Sequence, residues 1–97
     1  MDFLNQARNL LDNLKKTSVK LTEIKKDIET ASPDKLEDLY AEEFEVMVEI
    51  TDIFDLLDLY LDRLEEDESN TFISNRLRIQ AELILGEFDI YELDGSN

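Results

Sequence analysis

Val46-Met47-Val48-Glu49-Ile50-Thr51-Asp52-Ile53-Phe54-Asp55-Leu56-Leu57-Asp58-Leu59-Tyr60-Leu61-Asp62-Arg63-Leu64 is the stretch that decides the fold class of this chain. Val46, Ile53 and Tyr60 recur every seven residues, as do Met47, Phe54 and Leu61, and again Ile50, Leu57 and Leu64. At 3.6 residues per turn the three rows lie side by side and form one broad apolar stripe, a pattern that the two-residue period of a strand does not produce. Glu49, Asp52, Asp55, Asp58 and Asp62 fall on the other side. Carboxylates three and four positions apart on a helix repel by a few tenths of a kcal/mol per pair, so burial of the stripe has to outweigh that repulsion.

The same pattern extends upstream. Leu39 continues the first apolar row, and Asp38, Glu42 and Glu45 continue the acidic face, back to Ala31-Ser32-Pro33-Asp34. Proline disfavours a helical residue before it and is welcome at a helix's first position, so the break falls here. Ser32 reads as an N-cap, with Asp34 and Glu37 favourable in the first turn. The helix is predicted over 33–66, roughly 50 Å at 1.5 Å per residue, which is long for a compact monomer. Before the break, Phe3, Ala7, Leu10, Leu14, Thr17, Leu21, Ile24 and Ile28 alternate spacings of four and three, widened by Leu4 and Leu11. This heptad seam predicts a helix over 2–30, capped by Asp2, with Lys15, Lys16, Lys20, Lys25 and Lys26 on its outer face.

Downstream, Glu65-Glu66-Asp67-Glu68-Ser69-Asn70 holds no apolar residue and reads as a turn, with Ser69 or Asn70 capping a third helix. That helix is predicted over 71–88 on the stripe Ile73, Leu77, Ala81, Ile84 and Phe88, flanked by Phe72, Ile79 and Leu83. It ends at Gly86 or Asp89, with Ile90 and Leu93 folding back and 89–97 as a fraying tail. The aromatic residues Tyr40, Phe44, Phe54, Tyr60 and Phe72 fall at helical spacing and read as core or interface packing. Arg76 and Arg78 are expected to pair with the acidic ridge of the second helix.

Composition narrows the chemistry. The 97 residues include no cysteine and no histidine, which removes thiolate chemistry, the commonest metal ligand and the commonest general base. Two glycines rule out a glycine-rich phosphate loop and, with one proline, argue against a fold of many tight turns. Paired carboxylates on an exposed helix face are ordinarily solvated, so catalytic, metal and cofactor roles are all read as none. Oxygen ligands from Asp67 through Ser69, Thr71 and Asn75 have some calcium-loop spacing, but Phe72 stands where that loop needs glycine and Arg78 where it needs glutamate. Twenty-five acidic residues against ten basic ones leave a net charge of -15, which repels nucleic-acid phosphates and anionic membranes and attracts a basic protein. No apolar run approaches the roughly 20 residues of a membrane span, and Met1-Asp2-Phe3 does not open like a signal peptide, so a cytoplasmic location is expected. Repulsion along the acidic ridge is expected to raise carboxylate pKa values on average, so that modest acidification raises the melting temperature.

From Phe44 onward the sequence resembles the GrpE family, the bacterial nucleotide-exchange factors of DnaK-type chaperones. The run Val48-Glu49-Ile50-Thr51-Asp52-Ile53-Phe54-Asp55-Leu56-Leu57-Asp58-Leu59-Tyr60-Leu61 is similar in shape to that family's leucine-leucine-x-x-x-aspartate-x-leucine-x-arginine-alanine-leucine stretch. After a short acidic gap, Phe72-Ile73-Ser74-Asn75-Arg76-Leu77 leads to Phe88-Asp89-Ile90-Tyr91-Glu92-Leu93-Asp94-Gly95, similar to its phenylalanine-x-x-glycine and phenylalanine-glycine-valine stretches. The likeness covers about half the chain. Asn75 and Asp89 replace family glycines, Pro33 interrupts the family's long stalk helix, and the sequence stops where its β-domain begins. The resemblance implies a homodimeric four-helix bundle, two helices from each subunit, that binds a DnaK-type chaperone with little exchange activity.

The sequence therefore predicts an all-α chain: a three-helix bundle that completes a four-helix-type bundle or coiled coil by dimerisation. Val46, Ile53, Phe54, Leu57, Tyr60 and Leu61 are the expected dimer interface. Asp52, Asp55, Asp58 and Asp62 are the expected partner-binding residues, either toward a chaperone or toward a basic nucleic-acid-binding surface that the chain blocks. Direct contact with nucleic acid or membrane is not expected.

Overall fold

A computed structural model describes residues 2–88. Helix α1 spans Phe3–Thr30, α2 spans Pro33–Glu65 and α3 spans Thr71–Glu87, with a 3-10 turn at Glu68–Asn70 and no strand among the described residues. The molecule measures 53 × 29 × 18 Å, so α2 runs nearly its full length. The sequence ranges hold to within a residue. The tail expected over 89–97, with the fold-back of Ile90 and Leu93, lies outside the described residues.

The core is the intersection of the three stripes. From α1 it takes Ala7, Leu11, Leu14, Leu21 and Ile24; from α2, Val46, Ile50, Leu57, Leu61 and Leu64; from α3, Leu77, Ala81 and Leu85. Phe3 reaches across to Tyr60 with ring centroids 5.8 Å apart, which fastens the start of α1 to the later half of α2. Two details differ from the sequence pattern. Leu11 is buried deeper than Leu10, and on α3 the buried line includes Ser74 and Leu85 while Phe72, Ile79 and Leu83 face outward. Thr17 interrupts the α1 seam without leaving its hydroxyl unpaired, because it donates to the Asn13 carbonyl at 2.8 Å. Such a bond to the residue four back satisfies a polar atom that is otherwise costly to bury.

The helix starts follow capping logic with one correction. Asp2 caps α1, its Oδ1 accepting from the Asn5 N–H at 3.1 Å. Ser32 holds the N-cap position of α2, but its hydroxyl does not cap; it donates to Asp34 Oδ1 at 2.6 Å. Proline at the first helical position already removes one orphan donor. Asn70 holds the N-cap position of α3, as expected, although its side chain makes no capping bond; Asp67 caps the 3-10 turn before it, its Oδ1 accepting from the Ser69 N–H at 3.0 Å and from the Ser69 hydroxyl at 2.8 Å.

These bonds hold the Asp34 and Asp67 carboxyls below the ordinary aspartate value of 3.8, through Ser32 and Ser69 respectively. Both carboxyls stand in turns at the ends of α2 rather than on its acidic ridge, and hydrogen bonds to the ionised form set the direction there. A carboxyl whose folded pKa is lowered contributes stability that is complete above its unfolded value and is lost as pH falls through the folded one. The paired substitutions Asp34→Asn and Asp67→Asn should therefore flatten the fall of melting temperature as pH drops below the ordinary aspartate value of 3.8, leaving the curve at higher pH parallel to the parent's. Melts followed by circular dichroism across the acid range check this, and parallel curves throughout would refute it.

Candidate functional site

The described residues place no group of three or more carboxylates together as metal ligands. The calcium-loop residues do not form a loop: Asp67 binds Ser69, and Thr71 and Asn75 lie on α3. No helix is long and apolar enough to cross a membrane among these residues. A shallow open depression beside the α1–α2 turn is lined by Asp27, Lys35, Asp38, Leu39 and Glu42. It encloses no buried polar atom without a partner, since there is none among the described side chains.

The surface with chemical character is α2, and its charges divide into two groups. Near its C-terminal end the ridge is partly compensated from within the chain. Arg78, reaching back from α3, pairs with Asp58, with Asp62 at 3.2 Å and with Glu65 at 3.4 Å. The buried Ser74 hydroxyl also donates to Glu65 Oε1 at 2.9 Å, and its Oγ lies 3.3 Å from the Leu61 carbonyl oxygen. One guanidinium with five donors suits three carboxylates on successive turns of a facing helix. Arg76 makes no such pair among the described residues, although both arginines were expected on the ridge. At the other end Lys25 of α1 pairs with Glu43 at 3.0 Å.

The middle of α2 is different. Glu45, Glu49, Asp52 and Asp55 are exposed and have no cationic partner among the described residues. Tyr40, Phe44 and Val48, at successive spacings of four, are also exposed, as are Leu56 and Leu59. The aromatic pattern in the sequence thus splits: Phe54 and Tyr60 pack against the core, whereas Tyr40, Phe44 and Phe72 face solvent. Of the four aspartates expected to meet a partner, Asp52 and Asp55 are open while Asp58 and Asp62 hold Arg78.

The residues read as a dimer seam also divide. Val46, Leu57 and Leu61 lie inside the core that α2 shares with α1 and α3, which leaves them no surface for a second copy in this fold. Ile53, Phe54 and Tyr60 are half-buried at its edge. The physical reason is the third helix: a broad stripe on α2 can be covered by two helices of its own chain. The sequence signal for an exposed apolar face lies in Phe44 and Val48, which step by four residues from Tyr40 out of the Met47, Phe54, Leu61 row that Tyr40 continues, toward the acidic side.

No protein-family model matches the chain, and neither a curated protein nor a solved structure does.

Proposed function

We propose that the chain is a non-catalytic protein-binding module whose outer α2 face docks a basic partner protein. The observation that carries this reading is the coexistence, on one exposed helix face, of Tyr40, Phe44 and Val48 with the unpaired carboxylates Glu45, Glu49, Asp52 and Asp55. Exposed aromatic residues supply anchors, and a field of one sign steers a basic surface toward them. The helix carries twelve carboxylates against Lys35 and Arg63, so the field is strong even after Arg78 is counted.

The test uses two baits: the parent chain, and a variant carrying Glu45→Gln, Glu49→Gln, Asp52→Asn and Asp55→Asn. These positions are exposed, so the fold should survive the change. Basic polypeptides should bind the parent at ionic strength near 0.1 M and leave at higher salt as screening shortens the Debye length. The variant should lose at least about tenfold in association rate with little change in dissociation. Release of the captured protein by added DNA would identify a nucleic-acid-binding surface as the one blocked. Equal capture by both baits would end the proposal.

A second reading keeps the GrpE resemblance. Its support is that the stretch from Phe44 folds as helix, short acidic turn and helix, the order the resemblance implies. On that reading the partner is a DnaK-type chaperone, bound weakly and with little stimulation of ADP release. A conformational change needs differential contact with the open state, and a helical bundle gripping one lobe supplies little of it. Stopped-flow release of labelled ADP from the chaperone decides: absence of any binding removes the assignment, and full-strength exchange removes the argument from the helices alone.

A further inference from the structure

Helix α3 is apolar on two opposite faces. Ser74, Leu77, Ala81 and Leu85 turn inward, but Phe72, Ile79 and Leu83 are 75%, 56% and 67% exposed. With Arg76 and Gly86, both also exposed, they make the series 72, 76, 79, 83, 86, whose spacings alternate four and three. That is a second heptad seam, on the side of α3 away from the core, and heptad seams are surfaces that pair with another helix.

We propose that this outer seam of α3 is a self-association surface, on which a second copy of the chain packs its own α3 antiparallel across a two-fold axis through Ile79. Three observations choose this occupant and this direction. The first is charge. Two chains of net charge -15 repel, and α3 is the helix on which that repulsion is least, since with Arg78 turned to the carboxylates of α2 it still sets Arg76 against only Glu82 and Glu87. By contrast, α1 has six bases against four acids and α2 two against twelve. The second is register. An antiparallel pair centred on Ile79 sets Arg76 against Glu82 of the second copy, whereas a parallel pair would set Arg76 against itself. The third is shape. The same register sets Phe72 over Gly86 of the second copy, and nothing among the described residues lies within 4 Å of the place a Gly86 side chain would take. The bulkiest side chain of the seam thus meets its only vacancy.

The contact is small. A 17-residue helix is about 25 Å long, and a pair of them falls short of the roughly 1,200 Å² of a standard stable interface. The association is accordingly weak and reversible, at the small end of interface sizes where transient encounters fall. It also carries an unusual salt signature. Raising salt from about 0.05 to about 0.5 M cuts the Debye length from roughly 14 to roughly 4 Å, so repulsion between the two acidic bodies fades while the apolar contact remains. Self-association therefore strengthens with salt, opposite to the binding of a basic partner on α2, and the two surfaces are separable in one titration.

Sedimentation equilibrium of the full chain up to about 1 mM, at both salt concentrations, tests the proposal. The expected result is a mass rising toward the dimer with concentration, and more steeply at high salt. Ile79→Gln should weaken the dimer at least about tenfold, as truncation of a central anchor does on both sides of the axis, while leaving the melting curve of the monomer near that of the parent. Arg76→Glu and Glu82→Arg should each weaken it, and together restore it, because the swap rebuilds the pair across the axis. A monomer at every concentration would overturn the proposal and indicate that the seam is covered from within the chain. Dimerisation unaffected by Ile79→Gln would place the contact elsewhere, and failure of the double swap to restore it would reject the antiparallel register.

Discussion

Leu57→Ala is expected to lower the free energy of unfolding by about 3 kcal/mol, within the 2–5 kcal/mol range for large-to-small changes at fully buried leucines. Leu57 is fully buried in the C-terminal half of α2, in the core built by all three helices. Its removal takes away the transfer energy of the deleted carbons and leaves a cavity that long helices, held at both ends by neighbouring layers, relax into poorly. A domain of this size has a stability of about 5–10 kcal/mol, so the substitution removes a large part of it. The melting temperature should fall by roughly 15 °C, taking 4–8 °C per kcal/mol for a domain near 100 residues. Urea titration of both proteins measures the difference. Leu56→Ala, one residue earlier and pointing to solvent, should change stability by less than about 0.5 kcal/mol and is the internal control. Equal losses at Leu56 and Leu57 would mean that the outer face of α2 is covered by something as firmly as the inner one.

That pair of residues also shows how much of the fold could be read from the sequence. The seven-residue rows through Ile50, Leu57 and Leu64 identified the inward face of α2, and the proline break placed the α1–α2 turn, because burial and backbone sterics act locally on a long regular helix. What the rows do not encode is how many helices cover them. A stripe three rows wide looks the same whether it is shared between α1 and α3 of one chain or between two chains, and the choice depends on tertiary packing of segments far apart in sequence. Val46, Leu57 and Leu61 were for that reason legible as buried but not as intrachain. The candidate site was legible in part. Asp52 and Asp55 read correctly as an open acidic face, whereas the capture of Asp58 and Asp62 by Arg78 depends on α3 folding back along the end of α2. The apolar line Phe72, Ile79, Leu83 reads in the sequence as a flank of the core stripe. Nothing in the pattern of α3 alone ranks its two apolar faces, and only the position of α2 and α1 decides which one is covered.

Arg78→Met should destabilise the chain by about 1–2 kcal/mol, less than the full value of a buried charge pair because Asp58 and Asp62 are partly open to solvent. Methionine keeps much of the apolar stem, so the loss isolates the guanidinium from the packing of its carbons. Its consequence is concentrated at one place. Asp58, Asp62 and Glu65 sit on successive turns of α2, facing α3, and Arg78 is the cation that all three share. Without it, three carboxylates face one another across i,i+3 and i,i+4 spacings, and the Ser74–Glu65 hydrogen bond loses its charged neighbour. The repulsion so released is electrostatic and partly exposed, so added salt should relieve it. The gap in melting temperature between parent and variant should narrow between about 0.05 and about 0.5 M salt as the Debye length falls below the spacing of the charges. Arg78→Lys should retain part of the stability but not all of it, since an ammonium supplies three donors from a point while the three acceptors are spread along the helix. Thermal melts of the parent and both variants at the two salt concentrations decide the matter. A gap that stays constant with salt would mean that Arg78 acts through packing and geometry, and that the ridge of α2 tolerates its own charge without an internal counterion.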